Sequence, residues 1–366
     1  MVKSKHQTVD DLQGFTVDTG LITDHQFAYA RYSSTTVALI VAVDSWKLAI
    51  DRGEKGVCTF LDLRKAFDVI EHNILISKLS KHGVTGNELE WFKSYLQGRN
   101  QFVSYGSVES ERRLITHGVP QGSVLGPTLF NIHINGITDT CTDSEVVLYA
   151  DDTEIHASAK DVSAAEKRVN KDLESTATWW NQNGLISNHK KCKAMLIGSK
   201  HAVKNTRALQ IILNGKPVKQ SDYFKYLGIY LDHCLTWSKH VAYIQSRVYP
   251  KLKLLNRISS FLSRDILLRI YKQTVLPLLD YGCVVWGECS KENAQRLERL
   301  QNQAMRIILH ADRKTCTQEM RAKLQLLSVH SRCLFIRLQY VFKIINNINC
   351  PKQLTGYLVK RSQRHC

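Results

Sequence analysis

The sequence predicts an α+β fold followed by a helical C-terminal third. Short apolar runs of strand length alternate with amphipathic segments up to about residue 235. Tight-turn signals such as Asn214-Gly215 predict hairpins, and therefore antiparallel strands. After Trp237 strand-like runs become rare and helical periodicity dominates. These observations place a domain boundary near residue 235.

The elements follow from local patterns in chain order. Residues 57–63 and 194–197 are apolar enough for buried strands, and 65–79 and 88–96 are predicted helices. Gly106-Ser107 separates two strand-like runs and predicts a hairpin over 101–114. Pro127 suits the first turn of a helix over 127–137. Apolar side chains recur at helical spacing within 162–180, and the last predicted hairpin covers 211–218.

Composition indicates a globular protein of about two domains, since the chain has 366 residues and is 43% hydrophobic. Its longest apolar stretch, residues 37–43, is far shorter than the ~20 residues that span a bilayer. The polar start of the chain shows no signal peptide, and the ten cysteines include no CxxC pair. We therefore expect an intracellular protein with reduced cysteines and no membrane partner; nucleus and cytoplasm are not distinguished.

The net charge of +17 is concentrated near the C-terminus. Residues 1–235 carry 27 Lys+Arg and 26 Asp+Glu, a net of +1, whereas residues 236–366 carry 23 and 7, a net of +16. A basic region joined to a charge-balanced one suggests a polyanionic partner. A solvated basic surface without a partner is the alternative reading.

Two adjacent carboxylates, Asp151 and Asp152, lie at a predicted tight turn between two apolar runs. Like charges repel, so a doubled acid at a hairpin tip indicates a divalent cation, which takes oxygen ligands. Asp62 lies within an apolar strand 89 residues earlier, where a carboxylate needs a cation or a hydrogen-bond donor. Alone, Asp62 would be read as a cap or an ion-pair partner; with the acidic pair, a shared metal site explains it better.

Between these acids lies a loop, residues 118–127, with two prolines and three glycines. Such a loop lets a ligand approach the backbone closely. The order FLDLRKAFD (60–68), GVPQGSVLGPTLF (118–130), YADD (149–152), NHKK (188–191) and FKYLG (224–228) resembles the reverse transcriptases of non-LTR retrotransposons of the jockey or LINE type. The similarity runs from about Asp24 to the end of the chain.

The resemblance implies a right-hand polymerase fold with an antiparallel palm sheet backed by helices. Partial fingers would occupy residues 1–56, the palm with its primer grip 57–235, and a helical basic thumb and C-terminal region 236–366. The expected activity is RNA-directed DNA polymerisation by a two-metal mechanism. The partners would be an RNA template, a DNA primer and deoxynucleoside triphosphates; the oligomeric state is left open.

The resemblance also implies roles for individual residues. Asp62, Asp151 and Asp152 would hold two Mg²⁺ ions, with Mn²⁺ as the alternative metal, and Lys191 would act as an acid toward pyrophosphate. Phe67 would be the steric gate that excludes a 2′-hydroxyl; without the resemblance, a core aromatic is an equal reading. The remaining roles are nucleotide contacts by Arg31, Leu63, Lys65, Ala66, Gln121 and Gly122, and a primer grip formed by Lys225, Tyr226, Leu227 and Gly228.

One departure concerns the segment Gln26-Phe27-Ala28-Tyr29, which resembles the last fingers motif. The family usually has arginine directly after that tyrosine, whereas this chain has Ala30 and then Arg31. Because the chain begins almost at this motif, we expect a fragment of a longer element. A catalytically inactive nucleic-acid-binding remnant and an unrelated metal-dependent phosphotransfer enzyme are the competing interpretations.

Overall fold

The structure, a computed structural model, describes residues 21–350 and Leu354. The predicted fingers segment 1–56 therefore lies partly outside the described residues. The strands are β1 (Lys55–Leu61), β2 (Asn100–Gln101), β3 (Ser104–Tyr105), β4 (Val108–Glu109), β5 (Arg113–Leu114), β6 (Glu145–Tyr149), β7 (Asp152–Ala159), β8 (Lys193–Ile197), β9 (Ile212–Leu213), β10 (Lys216–Pro217), β11 (Tyr223–Tyr226) and β12 (Ile229–Asp232).

Helices precede, separate and follow these strands. In chain order they are α1 (Thr35–Asp51), α2 (His72–Lys81), α3 (Gly86–Leu96), α4 (Gly126–Ile134), a 3-10 helix (Asn135–Thr140), α5 (Val162–Gln182), α6 (Lys200–Lys204), α7 (Ser238–Ile258), α8 (Arg264–Thr274), α9 (Leu276–Asp280), α10 (Cys283–Trp286), α11 (Lys291–Leu309), α12 (Thr317–Leu324) and α13 (Val329–Ile345). In the described part of the chain, none of them combines the length and apolar character that crossing a membrane requires.

The described residues form two compact units. The first contains residues up to Ser34, Gly53–Leu196 and Thr206–Gln220. The second contains Thr35–Arg52, Ile197–Asn205 and the residues from Ser221 onward. The hairpin β11–β12 belongs to the second unit, as does α1, so the three domain ranges drawn from the sequence stay a prediction.

The first unit is organised around a four-stranded sheet with the order β6-β7-β1-β8. β7 pairs antiparallel with both β6 and β1. Helix α5 packs on β1 and β7 through one apolar face, on which Val169, Leu173 and Trp180 are buried. Each fully buried side chain of this kind stabilises the fold by about 1.5–3 kcal/mol. The predicted antiparallel sheet backed by helices is confirmed.

Local signals gave most element positions correctly. The hairpin β9–β10 turns at Asn214 and Gly215, both with positive φ, 51° and 71°. This is the conformation that an Asn-Gly pair favours. The predicted helix over 65–79 begins only at His72, because the backbone before it follows another path. There Lys65 has a φ of +47°, and the Phe67 and Ile70 carbonyl oxygens accept hydrogen bonds from Val119 and Gly118.

The second unit is mainly helical and also contains β11–β12. Its helices α7 to α13 lie after residue 236, where the sequence predicts helical structure. Helix α11 packs against α7, and Leu297, Leu300 and Ala304 are buried along one face of α11. Of the arginines on the same helix, Arg299 is exposed, whereas Arg296 and Arg306 are half-buried. The cysteines of the described chain are free thiols.

Candidate active site

The acidic pair lies where β6 turns into β7. Tyr149 pairs with Asp152, so Ala150 and Asp151 form a two-residue turn. Ala150 has a φ of +55°, a region that residues with a Cβ seldom adopt. Strained backbone of this kind clusters at functional sites and persists only when surrounding contacts hold it.

One buried side chain supplies such contacts to the turn. Gln26 Oε1 accepts a hydrogen bond from the Ala150 amide, at 2.9 Å. The Gln26 amide nitrogen also lies 3.5 Å from the Ala150 carbonyl oxygen. The motif that contains Gln26 is evident in the sequence, but its pattern predicts no role for this residue. A polar side chain next to the apolar pair Phe27-Ala28 was the available signal.

Asp62 reaches the same end of the sheet through strand register. Leu61, the last residue of β1, is opposite Thr153 of β7. Because the strands are antiparallel, Asp62 and Asp152 come next at the same end of the sheet. The Asp62 carbonyl oxygen accepts a hydrogen bond from the Asn188 amide at 2.7 Å. The fold thus joins two acidic sites that lie 89 positions apart in the chain.

Lys191 lies beside this first acid. Its Nζ atom is 3.6 Å from Asp62 Oδ1, and its side chain is 69% exposed. Because the ammonium group is well solvated, the ion pair contributes little to stability. Because this ion pair is weak, the lysine side chain is free to move toward a bound anion.

The three carboxylates interact electrostatically. Desolvation, together with the nearby charges of Asp151 and Asp62, raises the pKa of Asp152 to about 6, although the residue as a whole is exposed. Desolvation also raises the pKa of Asp151. The charge of Asp62 raises it further, and the charge of Lys191 lowers it. Mutual repulsion of this kind is relieved by a cation.

The donor set suits a hard cation, although its oxygens do not converge. Within residues 21–350, no three His, Cys, Asp or Glu side chains are arranged to hold a metal ion together. Asp62 Oδ2 is nevertheless buried and has no hydrogen-bond partner among the described residues. A buried carboxylate oxygen without a partner is costly unless a cation neutralises it. The chemistry of these residues therefore fits a divalent metal.

The Gly-rich loop is fixed to the segment after Asp62. Gly118 packs so tightly that a Cβ there would lie 2.9 Å from the Asp68 Cα and carbonyl oxygen. Gln121 Nε2 donates to Asp68 Oδ1 at 2.7 Å. Gly122 has a φ of +76° with open space around it. Asp68, for which the sequence pattern predicts no role, thus orients the predicted nucleotide contact Gln121.

Phe67 belongs to the segment after Asp62, and its carbonyl oxygen accepts a hydrogen bond from the backbone amide of Val119 in the Gly-rich loop. Its ring stacks on Phe130 of α4, with centroids 4.2 Å apart and an interplanar angle of 18°. Phe67 is only partly buried, so one part of the ring remains accessible. Among the neighbouring predicted contacts, Leu63 and Ala66 are buried whereas Lys65 is exposed.

The remaining predicted nucleotide contact, Arg31, is exposed and stacks its guanidinium over the Tyr32 ring at 4.7 Å. Tyr29, two residues earlier, is 59% exposed and has a φ of +54°. This surface belongs to the first unit, together with the three acids.

The predicted primer grip forms the hairpin β11–β12 of the second unit. Lys225 Nζ lies 4.6 Å from the ring centroid of Tyr243, and Tyr226 is buried. The turn itself contains Leu227 and Gly228, with φ values of +43° and +83°. A hairpin with an exposed lysine over aromatic rings is suited to contact a polyanion.

Comparison with known proteins supplies the context for this geometry. The family model described as reverse transcriptase (RNA-dependent DNA polymerase) matches residues 6–231, more than half of the chain. The RNA-directed DNA polymerase from mobile element jockey of Drosophila melanogaster is 30% identical over 79% of this chain and 32% of its own length. The probable RNA-directed DNA polymerase from transposon X-element of the same species is 30% identical over 81% and 34%.

The chain thus spans about a third of the length of these curated relatives. Among solved structures, the telomerase from Candida tropicalis in complex with a fragment of telomeric RNA aligns with a TM-score of 0.50. That alignment covers 98% of this chain and 53% of the other at 12% identity, so it concerns the fold alone. The palm-type fold predicted from the sequence is confirmed.

Proposed function

The chain belongs to the reverse transcriptase family, and we propose that it catalyses template-directed addition of deoxynucleotides to a DNA primer on an RNA template. The observation that carries this proposal is the register of β1 and β7, which brings Asp62 to the acidic turn of Asp151 and Asp152. The relatives named above are RNA-directed DNA polymerases, and the elements from which they come are mobile.

Reverse transcriptases generally use divalent metal ions, and Asp62, Asp151 and Asp152 would hold Mg²⁺ or Mn²⁺ in this chain. Such a cation supplies Lewis-acid stabilisation of charge on a transferring phosphoryl group. The carboxylates would hold the cation and must be ionised to do so, which favours neutral over acidic pH because the pKa of Asp152 is about 6. Lys191, exposed beside Asp62, is available to donate a proton to the departing pyrophosphate.

The incoming deoxynucleotide would lie against the surface formed by Phe67 and Gln121. The hydrogen bond from Gln121 to Asp68 holds the amide in place, and stacking on Phe130 holds the Phe67 ring. A rigid ring below the sugar excludes a 2′-hydroxyl by steric clash. Arg31 and Lys65, both exposed on this unit, would supply positive charge to the triphosphate.

The second unit would hold the template–primer duplex. Helix α7 exposes Arg247, Lys253 and Arg257, and the region 236–366 carries a net charge of +16. Basic side chains of this kind bind phosphates without sequence preference and release counterions. We expect the affinity for an RNA–DNA duplex to fall steeply with salt concentration.

Primer extension tests the proposal directly. Wild-type protein is incubated with an RNA template, a DNA primer, deoxynucleotides and Mg²⁺, in parallel with Asp151→Asn and with Asp51→Asn, an exposed aspartate in α1. We expect Asp151→Asn to lose at least about 100-fold in rate, equivalent to about 2.7 kcal/mol, and Asp51→Asn to retain it. Folded wild-type protein that extends no primer would refute the catalytic proposal.

A catalytically inactive nucleic-acid-binding protein is the second candidate, favoured by the shift of arginine from position 30 to position 31. This candidate predicts salt-sensitive binding to an RNA–DNA duplex without incorporation. Moving the arginine back, with Ala30→Arg and Arg31→Ala combined, distinguishes the two. If the second candidate is right, the double variant gains incorporation at unchanged duplex affinity.

A further inference from the structure

We propose that Gln26 is a positioning residue that holds the backbone of the acidic turn in its strained conformation and couples this turn to the segment leading to Arg31. Gln26 is 3% exposed and belongs to the same unit as the three acids. The catalytic consequence of this inference rests on the proposed polymerase function. The effect on turn geometry and on metal binding does not.

The hydrogen bonds of Gln26 define the turn. Oε1 accepts from the Ala150 amide at 2.9 Å, and the same oxygen accepts from the Ala28 amide at 2.9 Å. Both amides belong to residues that are buried, at 6% and 0% exposure. A buried N–H group without an acceptor costs about 1–3 kcal/mol, so loss of Gln26 would orphan two of them.

The backbone on both sides reinforces this arrangement. The Phe27 amide donates to the Leu148 carbonyl oxygen at 2.8 Å, and the Leu148 amide donates to His25 at 2.9 Å. Residues 25–27 therefore run along the edge of β6, which leads directly into the acidic turn. Gln26 is the residue of this segment whose side chain reaches the Ala150 backbone.

Gln26 holds Ala150 in the left-handed backbone conformation, which is unfavourable for alanine. A left-handed backbone costs an L-residue about 1–2 kcal/mol, and Ala150 has a φ of +55°. If the turn relaxes, the next residue, Asp151, moves with it. A displacement of about 1 Å at a catalytic group can lower a rate about 100-fold.

The second hydrogen bond connects the turn to a predicted nucleotide contact. Ala28 precedes Tyr29, Ala30 and Arg31, and its carbonyl oxygen accepts from Asn131 Nδ2 at 2.8 Å. Because one Gln26 oxygen serves both Ala28 and Ala150, a shift of either backbone changes the hydrogen bond of the other. We infer that the position of the Arg31 segment and that of the acidic turn are not independent.

The test is a double-mutant cycle on the full chain. Gln26→Met keeps side-chain length and removes the hydrogen bonds, while Ala150→Gly removes the cost of positive φ. Mn²⁺ binding is measured by electron paramagnetic resonance without nucleotide, and kcat and KM by primer extension. Gln301→Met is the matched control, because Gln301 is also a buried glutamine that donates to a backbone carbonyl, that of Leu327.

We expect Gln26→Met to weaken Mn²⁺ binding about 10-fold and to lower kcat by about 10–100-fold. Adding Ala150→Gly should restore Mn²⁺ affinity to within about 3-fold of wild type, because glycine adopts the turn unaided. Gln301→Met should lose thermal stability but keep the wild-type Mn²⁺ affinity. A merely structural role predicts no rescue by Ala150→Gly, and that result would overturn the proposal.

Two further outcomes are decisive. If wild-type protein extends no primer, the polymerase proposal fails while the Mn²⁺ measurements still decide the role of Gln26. If Gln26→Met does not fold, amide hydrogen exchange of the wild type gives the answer. Rapid exchange of the Ala150 amide would then contradict the hydrogen bond on which the inference depends, and protection from exchange would support it.

Discussion

The hydroxyl group of Tyr281 donates a hydrogen bond to the Leu227 carbonyl oxygen, at 2.7 Å. Leu227 has a positive φ and stands at the turn of the predicted primer grip. The hydroxyl group of Thr35, the first residue of α1, lies 3.1 Å from the Tyr281 hydroxyl oxygen and donates to it, so α1 supports the same side chain. A tyrosine 54 positions downstream thus holds the turn of the hairpin β11–β12.

Two substitutions test this support. Tyr281→Phe removes a half-exposed hydroxyl with both of its hydrogen bonds and should cost about 1 kcal/mol in unfolding free energy. Gly228→Ala places a Cβ 3.0 Å from the Tyr281 ring at a φ of +83° and should cost about 1–3 kcal/mol. Chemical denaturation measures both, with Gly215→Ala as the control for positive φ in open space. A larger loss for Tyr281→Phe than for Gly228→Ala would argue against this packing.

The raised pKa of Asp152 predicts that the stability gained on metal binding depends on pH. The pKa of an aspartate in an unfolded chain is about 3.9, so Asp152 ionises at lower pH in the unfolded state than in the folded state. Because the folded pKa is about 6, ionisation of Asp152 lowers stability between about pH 4 and pH 6. Without metal at pH 7.5, Asp152→Asn should therefore melt higher than wild type, by no more than about 2 °C because solvent screens the charge of this exposed residue.

Differential scanning calorimetry with EDTA or Mg²⁺ checks this sign. At pH 3.5 both proteins carry a neutral side chain at position 152, and the difference should vanish. Mg²⁺ should stabilise wild type at pH 7.5 more than at pH 5, since protonated carboxylates bind the cation poorly. A metal-free Asp152→Asn protein that melts below wild type at pH 7.5 would show that repulsion among the acids is not significant.

Gly118 predicts a stability loss from backbone contact. It has a φ of +85°, and a Cβ would meet the Asp68 backbone at 2.9 Å. Positive φ alone is expected to lower the unfolding free energy by about 1–3 kcal/mol, and Gly118→Ala should lower it by more than this. Gly184→Ala is the control, because Gly184 has a φ of +69° and open space around it. Equal melting temperatures of the two variants would contradict the close approach of the loop to Asp68.

The ring of Phe67 predicts sugar discrimination. If it lies below the incoming sugar, Phe67→Val should reduce the preference for deoxynucleotides over ribonucleotides by about 10–100-fold in kcat/KM. Phe67→Tyr keeps the ring and should retain the preference. Loss of stability with unchanged discrimination in Phe67→Val would mean that Phe67 serves only to pack on Phe130.

Local sequence information determined much of the architecture. Apolar runs and helical periodicity gave β1, β8 and α5, because burial of one face imposes a period on the chain. Asn214-Gly215 gave the hairpin β9–β10, since these residues tolerate positive φ. The doubled acid at 151–152 and the order of the five motifs by themselves indicate the family.

Tertiary structure decided how these pieces meet. The start of α2 at His72 follows from hydrogen bonds between the segments around Phe67 and Gly118, which no local pattern encodes. The approach of Asp62 to Asp152 depends on the register of β1 and β7, in which Leu61 pairs with Thr153, 92 positions further along the chain. The support of Ala150 by Gln26 depends on a side chain 124 positions away. Sequence alone indicated which residues are candidates for the chemistry; long-range backbone pairing determined where their atoms lie, because hydrogen bonds between distant segments leave no local signal.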